Sequence, residues 1–192
     1  MEFNKPVSNP MLLGCIELLK DEDTLEHREM FTEEFMKASF LAPALVNPAP
    51  IVDEEGNQTI APGSQIQFPM LSTKDGKKLF VAFTDKVEYD SWQEKNTALP
   101  MFTLKVDDYA RMSLTRDPMG NPSPAIGLVI NPLSSNVVVS REMLAGFMTR
   151  RMAQNPMYRA MQQAQAAQAA AQKAASEEAT GAEEAAEAVE AE

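Results

Sequence analysis

The chain has 192 residues, 44% of them apolar, and a formal charge of −11. That length holds one domain with a sizeable core and is short for two. Glu177 to Glu192 contains seven Glu and no Lys or Arg; the other 21 acids face 17 bases, so the folded part is only mildly acidic, which disfavours a nucleic-acid-binding surface.

Asn9-Pro10 reads as a helix cap followed by Pro at the first helical position. Leu12, Cys15, Ile16 and Leu19 then recur at helical spacing. A second helix is predicted from Asp23, with Glu26 three residues on and Phe31, Phe35 and Ala38 on its apolar side. The apolar segment Phe40 to Val46 is the first predicted strand. Asn47-Pro48-Ala49-Pro50 stops it, and residues 53–63 read as a polar loop.

The densest signals lie between Phe68 and Trp92. Ile66, Phe68 and Met70 alternate with polar residues. Asp75-Gly76 predicts a two-residue hairpin turn, because both residues tolerate positive φ. Leu79 to Phe83 is a continuous apolar run, the pattern of a strand covered on both faces. Asp85 and Glu88 have capping-box spacing, so a helix to about Glu94 follows at once.

Met101 to Lys105 reads as a strand, and Asp107 is placed to cap a helix to about Arg116 with Tyr109, Met112 and Ser113 facing inward. Residues 117–124 hold three Pro and form a stiff loop. Ala125 to Ile130 is apolar throughout and predicts a central strand, with Val137 to Val139 as its neighbour. Ser140 caps a last helix with Met143, Leu144, Phe147 and Met148 on its buried face. Asn155-Pro156 ends that pattern. Ala, Gln and Glu dominate beyond it. Residues 157 to about 175 are expected as a marginal, exposed helix and the rest as disordered.

These elements predict an α+β domain over residues 1–155. Its core is a mixed sheet of about five strands with the Asp-Gly hairpin, covering helices and an N-terminal helix pair. An Ala/Gln/Glu-rich, acidic tail over 156–192 follows. The single Cys excludes an intramolecular disulfide and fits a cytoplasmic compartment. The first residues show no signal-peptide pattern, and no run of about 18 apolar residues exists to span a membrane.

Chemistry is hard to place. Metal sites need several converging ligands, and the chain has one His, His27, and one Cys, Cys15. No metal, cofactor or catalytic residue is therefore assigned. Cys15 with His27 as a nucleophile pair competes with a packed thiol, and packing is preferred. The glycines are isolated, so no phosphate-cradling loop is present. Asp53-Glu54-Glu55 reads as a solvated run and Asp107-Asp108 as helix-capping acids. Arg150, Arg151 and Arg159 read as solvated helix residues, and most of the 13 Met as core filling. The remaining candidates are Asp85, Tyr89 and Trp92. Tyr and Trp three apart share a helical face and suit a partner-binding groove, although the same face serves equally to pack on the sheet.

The stretch carrying these signals resembles the N-terminal domain of the SseB family, the "enhanced serine sensitivity" proteins. The pieces are Asp75-Gly76, Phe80-Val81-Ala82-Phe83-Thr84-Asp85, Trp92 and Gly127-Leu128-Val129-Ile130-Asn131-Pro132. Val81 stands where the family pattern has Pro. The resemblance covers residues 8 to 150. It implies a non-enzymatic interaction or regulatory protein, because the family brings no established catalytic residues. The partner implied is a protein. A small-molecule-binding domain with a pocket near Asn131-Pro132 is the alternative, and an enzyme with a nonstandard carboxylate site the third reading.

Overall fold

The computed structural model describes residues 2–3, 5–53, 58–94, 99–117, 119–157, 159–161, 163–164 and 168. The first half of the chain forms β1 (Glu2–Phe3), α1 (Pro10–Asp21), α2 (Leu25–Lys37), β2 (Ser39–Pro43), β3 (Leu45–Asn47), β4 (Ile51–Val52), β5 (Gln58–Thr59), β6 (Gln65–Gln67), β7 (Met70–Ser72) and β8 (Lys78–Ala82). Then come α3 (Lys86–Gln93), β9 (Met101–Lys105), α4 (Val106–Leu114), β10 (Ala125–Ile130), β11 (Val137–Ser140) and α5 (Arg141–Gln154). The class is α+β, with the N-terminal helix pair in place.

A four-stranded sheet has the order β11-β10-β8-β7, with β8 and β10 parallel and the outer pairs antiparallel. A three-stranded antiparallel sheet has the order β1-β9-β2. The two are stitched at one point: Leu41 and Phe83 exchange two backbone hydrogen bonds, each 2.9 Å. Two short ribbons, β3-β6 and β4-β5, lie outside these sheets in the pairing order.

The continuous apolar run of β8 works as its pattern predicts. Alternate residues point to opposite faces, and both faces are covered. Phe80 and Ala82 join a large core with Leu12, Ile16, Phe31, Phe35, Tyr109, Leu128 and Leu144. Val81 and Phe83 join a smaller one with Leu41, Tyr89 and Trp92. Fully burying each of these large apolar side chains stabilises the fold by about 1.5–3 kcal/mol.

Several local expectations shift. Helix α2 is capped by Thr24, whose hydroxyl accepts from the His27 backbone N–H at 3.1 Å; Asp23 instead pairs with Arg28. Helix α4 starts at Val106, one residue before Asp107, and it is Asp108 that bonds back to the Lys105 N–H at 3.0 Å. The strand expected over Phe40 to Val46 splits: β2 pairs with β9 and β3 with β6. The expected polar loop 53–63 contributes Gln58–Thr59 as β5, while residues 54–57 lie outside the described residues. Met143, expected on the buried face of α5, is 43% exposed; Leu144 is fully buried.

The β7-β8 hairpin turns one residue earlier than its Asp-Gly pair predicts. The Gly76 N–H donates to the Thr73 carbonyl at 3.0 Å, which puts Lys74 and Asp75 in the turn and Gly76 after it at φ +77°. The Thr73 hydroxyl accepts from the Lys77 N–H at 3.0 Å, so a side chain replaces one rung of the ladder.

Contacts divide the chain into two units, Met1–Met148 and Thr149–Glu192. The division follows burial. Phe147 and Met148 pack on the large core, whereas residues 149–154 of α5 are all exposed. In the second unit the Asn155 side chain accepts from the Met157 N–H at 2.9 Å, as a residue before a helical Pro does. Residues 169–192, with most of the predicted disordered tail, lie outside the described residues.

Gly127 is the most crowded glycine among the described residues. It has φ +150°, and a Cβ there collides with the Val139 carbonyl oxygen and crowds Ser140. The pairing of β10 with β8 shifts register across this residue. Gly127→Ala is expected to destabilise the domain by about 3 kcal/mol or more, through strain and backbone collision together. Gly76→Ala, with open space around it, is expected to cost only about 1 kcal/mol from its positive φ. Urea unfolding of both variants checks the ranking.

Candidate functional site

Two of the pieces that carry the family resemblance, the segments ending in Thr84-Asp85 and Asn131-Pro132, meet at the carboxyl ends of the parallel pair β8 and β10, whereas Asp75-Gly76 lies before β8. Asn131 is fully buried at φ +45°, a backbone state that Asn tolerates better than most residues. Its Oδ1 accepts from the Thr84 N–H at 3.0 Å and its Nδ2 donates to Thr84 Oγ1 at 2.7 Å. Thr84 Oγ1 in turn donates a hydrogen bond to Asp85 Oδ2 at 2.9 Å. Asp85 Oδ1 caps α3 by accepting from the Glu88 N–H at 3.0 Å. Asn9 Nδ2 closes the ring, donating to the carbonyls of Thr84 and Ser39, each at 2.7 Å. This network ties together two strands, the loop after β10, the cap of α3 and the entry of α1. The small-molecule alternative places its pocket beside Asn131-Pro132; at that strand end the side chains of Thr84 and Asn131 are buried.

The cap aims α3 at the sheet. Tyr89 and Trp92 are 2% and 7% exposed and pack on Phe83, with ring centroids 5.3 and 5.6 Å away. The Tyr89 hydroxyl donates to the Leu99 carbonyl at 2.8 Å. Burial pushes this phenol up to about 12. Tyr109, which donates to the Val81 carbonyl at 2.9 Å, is raised well above its ordinary value by the same cause. The structure therefore joins Asp85, Tyr89 and Trp92 through one helix, with both rings turned inward against the sheet. The outward side of α3 carries Val87, 75% exposed, and the Lys86–Asp90 ion pair.

The residues weighed for catalysis are apart from this cluster in chemistry. Cys15 is buried, and desolvation, aided by Glu34, raises its thiol pKa and keeps it protonated. His27 Nδ1 is engaged with the Glu22 carbonyl at 2.7 Å. Among the described residues no group of three His, Cys, Asp or Glu side chains could hold a metal ion. Among them, too, no helix is long and apolar enough to cross a membrane.

Two surface features are not among the predicted site residues. One is an open groove of about 440 Å³ lined by Lys5, Val7, Ser8, Asn9, Lys37, Ser39, Thr103 and Lys105. Its three lysines come from separate elements, so no local motif announces them. The other is loop 115–124. Asp117 Oδ1 accepts from the N–H groups of Met119 and Asn121 at 2.9 and 2.8 Å, and its Oδ2 from the Asn121 amide at 2.9 Å. These bonds hold the Asp117 carboxyl below its usual range, led by the Asn121 side chain. Arg116 donates to the Gly120 carbonyl at 2.7 Å, and Gly120 takes φ +84°. The loop is thus fastened from within, and it presents Met119 at 89% exposure.

The arrangement defines an α+β domain in which helices cover both faces of a mixed sheet and a polar clasp closes the ends of its parallel strands. The chain belongs to the SseB family: the family model for the SseB protein N-terminal domain matches residues 14–146, which include the hairpin, Thr84, Asp85, Trp92 and Asn131 but not Asn9. No curated protein and no solved structure matches the chain.

Trp92→Ala is expected to lower folding stability by about 3–5 kcal/mol, the cost of emptying a buried aromatic site. Chemical denaturation measures it; a loss below about 1 kcal/mol is incompatible with the packing described. The phenols give a pH dependence. Each folded-state value lies above the ordinary 10, so the unfolded chain ionises first as pH rises. Their contribution is complete below pH 10 and is lost as pH climbs toward 12 and beyond. Melting temperature is expected to fall across that window, and Tyr89→Phe to shallow the fall.

Proposed function

We propose that the chain is a non-enzymatic interaction or regulatory protein that binds a protein partner through loop 115–124. The observation that carries this reading is Met119, a large apolar side chain 89% exposed at the tip of a loop fastened by Asp117. An exposed methionine on a mobile loop loses entropy when it docks. Here bonds to Asp117 already hold the Met119 and Asn121 N–H groups, so less of that cost remains. Methionine also adapts its shape to an apolar pocket. Arg116 and Asp117 beside it supply a polar rim.

The α3 surface built on Asp85, Tyr89 and Trp92 is the competing location. The two aromatic residues support it from beneath, and Val87 is its exposed apolar residue. The alternative reading, a small-molecule-binding domain, is favoured by a separate feature, the lysine-lined groove.

Full-length protein immobilised in native lysate, followed by quantification of recovered partners, tests the proposal. Met119→Ser is expected to reduce partner recovery about 30-fold, the equivalent of a typical hot-spot loss of about 2 kcal/mol. Its melting temperature should stay unchanged, because the side chain is exposed. Loss with Val87→Ser instead moves the surface to α3. Equal recovery with all three proteins rejects a partner surface at either place.

A further inference from the structure

We infer that the groove between the N-terminal segment and strands β2 and β9 binds a small anion, a phosphate monoester of a sugar-sized metabolite. The inference rests on the small-molecule alternative and gives it a ligand class.

The charge placement is the first ground. Lys5, Lys37 and Lys105 reach the groove from the segment after β1, the end of α2 and the end of β9. They stand together on a chain whose formal charge is −11. Carboxylates border them, Glu33 near Lys37 among them, and Lys5 has an interaction of its own. Glu34 pairs with Lys37 at 2.9 Å, and Asp108 is held by the backbone N–H of Lys105. The Lys37–Glu34 pair is an exposed i,i+3 pair on one helix, and such pairs contribute little and exchange readily. A phosphate, with nearly two charges and three acceptor oxygens, competes well for the same ammonium.

The second ground is that the groove is built, not incidental. Its outer wall, residues 5–9, is pinned at both ends. Thr103 Oγ1 donates to the Lys5 carbonyl at 2.9 Å, and β1 pairs with β9 just before it. Asn9 holds the other end, with its amide on the carbonyls of Ser39 and Thr84. The wall is therefore tied directly into the clasp. Ser8 and Ser39 add hydroxyls to the lining. A volume of about 440 Å³ lies in the range of small-ligand sites. It suits a sugar phosphate better than an extended acidic peptide, which makes that peptide the contrasting outcome.

The test is an NMR titration of the ¹⁵N-labelled full chain with ribose 5-phosphate, with ribose, and with a Glu-rich decapeptide. Expected are saturable shifts of Lys5, Ser8, Lys37, Ser39 and Thr103 with ribose 5-phosphate, and none with ribose. Lys105→Glu is expected to weaken that binding roughly tenfold or more. Its side chain is exposed, so its spectrum and melting temperature should match the parent's. Lys37→Gln is expected to weaken binding as well, which guards against a fold artefact in the first variant. Saturation by ribose and ribose 5-phosphate alike leaves the small-molecule reading standing and overturns the anion. Saturation by the decapeptide alone makes the groove a contact for acidic protein segments and overturns the proposal. No saturable shift with any probe up to about 10 mM overturns both. Binding of ribose 5-phosphate that neither substitution weakens also overturns it, because the attraction then does not come from these lysines.

Discussion

The fold depends on a buried threonine. Thr84 follows a strand that is apolar on both faces, at the point where the chain must leave the sheet and start a helix. Leaving a sheet frees backbone groups, and at this depth water is absent. Each unmatched group costs about 1–3 kcal/mol. The solution uses every polar atom of the residue. Its N–H goes to Asn131, its carbonyl to Asn9, and its hydroxyl receives from Asn131 while giving to Asp85. Asn131 suits the partner role because its amide offers an acceptor and a donor side by side. An Asp would offer acceptors only, and an apolar residue neither.

That knot explains why segments far apart in sequence are positioned together. Asn9, Thr84 and Asn131 lie 75 and 47 residues apart, yet they share one hydrogen-bonded centre. Through Asn9 the clasp fixes where α1 begins and where the groove wall ends. Through Asp85 it fixes the start of α3 and hence the depth of Tyr89 and Trp92. Thr84, Asp85 and Asn131, which carry part of the resemblance, thus have a structural account. They hold the ends of two parallel strands closed. In many open parallel sheets a ligand binds at the same location, and here the buried side chains of Thr84 and Asn131 stand there.

Much of the fold was legible from the sequence because its signals are local. The apolar run of β8, the acid that caps α3 and the helical spacing of Leu12, Cys15 and Ile16 each lie within a few residues. The α+β class and the helix pair follow from them. What local pattern could not settle was competition between neighbouring solutions. Thr24 and Asp23 both suit a cap, and the one whose side chain turns toward the helix wins, leaving Asp23 for Arg28. Asp75-Gly76 has the right residues for a tight turn, but the Thr73 hydroxyl bonds across the loop and moves the turn back by one. The strand after α2 reads as one apolar segment, yet its two halves find different partners. Burial of Tyr89 and Trp92 follows from the aim of α3, which is set by Asn131, far away in the chain. The lysine groove was invisible for the same reason, since its lining comes from four separate segments.

A division of labour follows from these constraints. The aromatic side chains that most often anchor interfaces are spent on holding α3 to the sheet, and the ends of the central strands are closed. The surfaces we propose for recognition are peripheral features held by hydrogen bonds. Loop 115–124 and the wall at residues 5–9 are both of this kind. One is fastened by a carboxylate that folds the loop around itself; the other is anchored through the clasp. A rigid peripheral feature loses little conformational entropy on binding, so even a modest contact yields useful affinity. It also tolerates change at its exposed residues, because Met119 and Lys105 have no part in packing. A single scaffold of this design keeps its fold while its contact residues vary.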